Sequence, residues 1–79
     1  MRSIVTLLLL GSLLAACSSE VDDAERELAI VERSHPSKDD LCRAKRKVSD
    51  AYLKAHDPDH YEVKKLEADL ACQAARLGI

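Results

Sequence analysis

His56-Asp57-Pro58-Asp59-His60 holds the signals of one helix ending and another beginning. Asp57 suits a helix cap, and Pro58 suits the first helical position, where a missing N–H costs nothing. Asp59 falls in a first turn that favours negative charge. Upstream, Leu41, Ala44, Val48, Ala51 or Tyr52, and Ala55 recur as one apolar stripe, which predicts a helix over about 38–56. Ser37 with Asp40 gives its Ser-x-x-Asp start. Downstream, Val63, Leu66, Leu70, Ala74 and Leu77 predict a helix over about 58–77, with Gly78 as terminator. Two helices joined so tightly must return antiparallel.

Working back toward the amino terminus, Ser34-His35-Pro36-Ser37 breaks the pattern, because a proline disfavours helical geometry in the residue before it. Before that break, Val21, Ala24, Leu28 and Val31 recur at helical spacing. Ser19 with Asp22 reads as a start, and Glu20, Asp22, Asp23 and Glu25 supply acid to the positive helix end. The expected fold class is therefore all-α: a small antiparallel helical hairpin with a preceding N-terminal amphipathic helix over about 20–33.

Cys42 lies fifteen residues before Asp57 and Cys72 fifteen after it. At ~1.5 Å rise per residue both sit about 22 Å from the turn. In an oxidising compartment the matched pair reads as a disulfide. At about 100° per residue, however, each cysteine projects to a different face from the leucine stripe of its own helix. Two arrangements follow. If the disulfide sets the contact between the second and third helices, the leucine stripes are left for the first helix or for another molecule. If the leucine stripes face each other, the cysteines point outward and could bridge two chains.

The chain opens with Met1-Arg2-Ser3, a short positive start. Ile4 to Leu14 follows as an apolar run interrupted only by Thr6, Gly11 and Ser12, and Ala15-Ala16 comes next. That is the layout of a secretion leader, and the run falls short of the roughly 20 residues a spanning helix needs. Leu14-Ala15-Ala16-Cys17 resembles the lipobox of bacterial lipoproteins. The resemblance implies cleavage after Ala16, a covalent lipid on Cys17 as the only attached group, and a membrane anchor. Two or more acyl chains hold stably, since each buried methylene contributes roughly 0.8 kcal/mol. Ser18 rather than aspartate follows the cysteine, which in that family implies the outer membrane, periplasmic side. The expected organisation is a cleaved leader over 1–16, a lipidated N-terminus with spacer and first helix over 17–36, and a disulfide-stapled helical hairpin over 37–79.

The 63 residues left after cleavage carry eleven Lys/Arg against fourteen Asp/Glu, and only Tyr52 and Tyr61 are aromatic. No basic footprint for nucleic acid exists, nor aromatics enough to stack on bases. The core candidates are Val21, Leu28, Ile30, Val31, Leu41, Val48, Leu53, Val63, Leu66, Leu70, Leu77 and Ile79, with the tyrosines and many alanines. A domain this small rarely draws more than ~3 to 5 kcal/mol from one core, so a staple such as Cys42–Cys72 is expected.

Catalytic chemistry is expected to be absent. No Gly-rich phosphate loop, nucleophile elbow or redox dithiol spacing is present, and no small-molecule substrate is evident. His56 and His60 are four apart, but Pro58 interrupts the helix between them; with Asp57 and Asp59 they leave a weak metal-binding reading as an alternative, and no metal is expected. Arg43, Lys45, Arg46 and Lys47 read as a solvated face with ion pairs, or as a contact for anionic lipid or an acidic partner. The expectation is a non-enzymatic protein-interaction module, binding a protein of the envelope or copies of itself. In size, lipobox and cysteine pair, with Leu41-Cys42-Arg43-Ala44 and Cys72-Gln73-Ala74-Ala75, the chain is similar to small entry-exclusion lipoproteins of conjugative plasmids. That resemblance implies a partner in a type IV secretion apparatus. A structural envelope lipoprotein is the other reading, although proline-broken segments depart from the unbroken heptads of the abundant wall-linked kind.

Overall fold

The computed structural model describes residues 19–78. They form an all-α protein of three helices, α1 (19–33), α2 (Lys38–Lys54) and α3 (Pro58–Leu77), with no strand among the described residues. Ser37 caps α2 through a full capping box. Its Oγ accepts from the Asp40 N–H at 3.1 Å, and its own N–H donates to the Asp40 carboxylate at 3.4 Å. Asp57 caps α3 by accepting the His60 N–H at 3.3 Å, Pro58 opens the helix, and Gly78 closes it in the left-handed conformation at φ 70°. Ser19 is itself helical, which moves it off the capping position expected of it.

α2 stops at Lys54, two residues before the expected end at His56. The reason lies in the backbone. The His56 N–H reaches the Leu53 carbonyl and the Asp57 N–H reaches the Tyr52 carbonyl, both at 3.1 Å. This is the paired closure of a Schellman motif, whose left-handed position glycine usually fills. Here His56 takes it, at φ 56°. The reversal frees Asp57 to start the next helix one residue later.

The core is built of small residues. Ala24 and Leu28 of α1 cluster with Ala44, Val48 and Ala51 of α2, and Val21, Val31 and Tyr52 close the edge. Val48 is the most deeply buried, at 1% exposure. A second seam joins α2 to α3. Cys42 and Cys72 meet there, and Ser49, seven residues beyond Cys42, occupies the same face of α2, as Ala68, four before Cys72, does on α3. The buried Ser49 hydroxyl donates to the Arg46 carbonyl at 2.9 Å, and no buried side-chain polar atom among the described residues lacks a partner.

Six of the expected core residues are therefore not core. Ile30, Leu53, Val63, Leu66, Leu70 and Leu77 are exposed, at 53–63%, while Ile79 lies outside the described residues. Alanine, serine and cysteine let helix backbones approach closely, and the faces that carry them win the seams. The leucine stripe of α3, on the far side of that helix, is left facing solvent.

Candidate functional site

The sulfurs of Cys42 and Cys72 lie at disulfide distance within one chain, with their Cα atoms 4.6 Å apart. Cys72 is buried and Cys42 half-buried, so the pair belongs to the α2/α3 seam and is no exposed redox centre.

Polar side chains converge where α1 passes the other two helices. The Tyr52 hydroxyl donates to Glu25 Oε1 at 3.2 Å, and Lys64 Nζ lies 3.8 Å from the same oxygen. Glu25 thus links one residue of α1 to one each of α2 and α3. Lys47 Nζ adds a contact to Glu27 at 2.9 Å, again from α2 to α1. In the sequence Glu25 reads only as acid for a helix start. Its cross-helix role depends on tertiary proximity, which no local pattern in the sequence encodes.

Partial burial, then the Glu25 carboxylate beside it, push the Tyr52 phenol above its ordinary value of 10.0. The folded protein therefore holds the phenolic proton more tightly than the unfolded chain does. That contribution to stability is complete below about pH 10 and is lost as pH rises through the folded value. Glu25→Gln is expected to move the Tyr52 ionisation to lower pH in an ultraviolet absorbance titration and to flatten the alkaline loss of stability. An unmoved titration curve would show that Glu25 is not its neighbour.

At the α2–α3 turn the Tyr52 and His60 rings stack, with centroids 5.1 Å apart and planes 12° from parallel. His60 Nδ1 lies 2.8 Å from Asp57 Oδ2. A carboxylate only accepts, so this nitrogen carries the hydrogen. Asp57 is thereby committed twice to His60, by backbone and by ring. Among the described residues no three His, Cys, Asp or Glu side chains are grouped to hold a metal ion. Leu53, His56, Asp57, Pro58 and Tyr61 line an open depression of about 350 Å³ beside the turn. Its lining offers no nucleophile paired with a base.

In the basic stretch of α2, Lys47 is held by Glu27, and Arg43 lies 3.5 Å from Asp40. Arg46 is exposed and Lys45 half-buried. Cys17 and the expected leader over 1–16 fall outside the described residues, and no described helix is long and apolar enough to cross a membrane. No protein-family model matches this chain, and comparison with curated proteins and with solved structures finds no similar one.

Proposed function

We propose that the protein is a small outer-membrane lipoprotein, anchored through a lipid on Cys17, that works on the periplasmic side as a non-enzymatic protein-interaction module. In this reading the leader ends at Ala16, and α2 and α3 form an antiparallel hairpin stapled by a Cys42–Cys72 disulfide. α1 acts as the amphipathic strap between anchor and hairpin. The Leu14-Ala15-Ala16-Cys17 sequence supports the address.

One observation carries the binding role. The chain buries alanines and leaves Val63, Leu66, Leu70 and Leu77 of one helix in water. Large apolar residues gathered on one exposed face mark an interaction surface, whereas the same residues scattered singly would not. The size, the lipobox and the cysteine pair favour conjugative exclusion as the process served.

Metabolic labelling with palmitate tests the anchor. The native chain is expected to take up label and to fractionate with outer membrane. Cys17→Ser is expected to lose the label completely and to shift to other fractions. An unlabelled native product, or an unchanged fractionation of Cys17→Ser, would sink this assignment of place.

A further inference from the structure

The exposed stripe of α3 has a finer pattern than exposure alone. Val63, Leu66, Leu70, Gln73 and Leu77 recur at spacings of three, four, three and four. That is the two-position seam of a coiled coil, on a helix whose opposite side is already used. At about 100° per residue, Ala68 and Cys72 point roughly away from this seam, and both are buried. α3 is thus a two-faced helix, small residues toward α2 and a heptad seam toward solvent.

The charges flanking the seam decide what it fits. Glu62, Asp69 and Arg76 run along one edge, and Glu67 and Ala74 along the other. A bilayer with anionic headgroups is opposed by this mostly acidic border. The apolar run Ile4–Leu14 would cover leucines but offers nothing to the flanking charges. A second α3 does offer something. Laid parallel and in register, Glu62 of one copy would face Glu67 of the other, twice over by symmetry, which is repulsive. Laid antiparallel, with Leu66 opposite Leu77 and Leu70 opposite Gln73, Asp69 faces Arg76 of the second copy, also twice, and Glu67 faces the neutral Ala74. Shifting that alignment by one heptad gains a Glu62–Arg76 pair, but it sets Asp69 on Asp69 and Glu67 on Glu67 and lays Asp59 on Leu77.

We infer that α3 pairs antiparallel with α3 of a second copy of this chain, with Asp69 and Arg76 exchanging ion pairs across the seam. In this alignment the paired stretch is Leu66–Leu77, roughly 16 Å of helix, so the interface is smaller than the ~800 Å² per partner of a standard complex and the dimer is weak and concentration-dependent. The inference deepens the binding-module reading and rests on the membrane anchor only for strength, because two copies confined to one membrane meet at a raised effective concentration. The seam itself needs no lipid.

Sedimentation of the full chain in a mild nonionic detergent, over a range of protein concentrations, tests the pairing. The native chain is expected to move from monomer to dimer as concentration rises. Leu70→Glu is expected to raise the dissociation constant at least tenfold, with its helical circular dichroism retained. Asp69→Arg and Arg76→Asp are each expected to weaken the dimer roughly fivefold by turning two attractions into two repulsions. The double variant Asp69→Arg with Arg76→Asp is expected to restore it. A native chain that stays monomeric at every concentration overturns the inference, as does a dimer indifferent to Leu70→Glu. A dimer that Leu70→Glu breaks but the charge exchange leaves unmoved overturns the antiparallel alignment. Palmitate labelling reads the anchor and sedimentation reads the seam, so either can fail alone.

Discussion

The double variant Cys42→Ala with Cys72→Ala is expected to melt far below the native protein and to be substantially unfolded in mild urea. A link between these two sulfurs, which lie at disulfide distance, would close a loop across a sequence separation of 30 residues. In the chain-entropy account, removing it costs about 3 to 4 kcal/mol. A core of this size supplies only ~3 to 5 kcal/mol in all, so the loss consumes most of the margin. Alanine is the right replacement because Cys72 is 4% exposed, and a serine hydroxyl there would add a second penalty of its own. At roughly 4 to 8 °C per kcal/mol for a domain this small, the melting temperature should fall by more than ~12 °C. Adding reductant to the native protein should reproduce the fall and should do nothing to the double variant. On non-reducing gels the native chain should run faster than its reduced form. A melting temperature within a few degrees of native would refute the staple, and a thiol-sensitive dimer band would place the bridge between chains instead.

The same seam shows what the sequence could and could not disclose. The all-α class was legible because every helix carries an apolar stripe at helical spacing and α2 and α3 carry clear start signals. Ser37 with Asp40, Asp57 before Pro58, and Gly78 all act as the caps their residue types suggest. The end of α2 was less legible, since a histidine in the left-handed slot of the closing turn leaves no glycine to mark it. The core is where sequence ranking and structure differ most. Hydrophobic ranking favours leucine over alanine, yet alanine faces meet because they allow close helix approach, and a leucine stripe with no helix opposite stays wet. Periodicity could show that the cysteine and leucine faces of α2 and α3 diverge. It could not choose which face met a neighbour. Glu25 and the Tyr52–His60 stack were beyond reach for the same reason, each joining residues that sequence spacing alone does not pair.

A paired substitution puts that distinction between faces to the test. Val48→Glu and Leu70→Glu place the same charged side chain in two apolar stripes of the same protein, and they are expected to differ by several kcal/mol. Val48 is the fully buried centre of the α1/α2 cluster. A carboxylate there finds no cation within the cluster, and burying an unpaired charge costs more than the few kcal/mol this domain has. Val48→Glu should therefore lose most of its helical signal at 25 °C even with the Cys42–Cys72 link intact. Val48→Ala, which only removes methyl groups, should cost roughly 1 to 3 kcal/mol and leave a folded protein. Leu70 is 59% exposed, so Leu70→Glu, studied at dilutions where any dimer has dissociated, should change the unfolding free energy measured in urea by no more than ~0.5 kcal/mol. Equally large destabilisation by the two glutamates would mean that the α3 stripe is buried within the monomer as well, and equally small effects would mean that α2 does not hold the core. A large effect at position 48 with a small one at position 70 would separate the residues that hold the helices together from those left free for a partner.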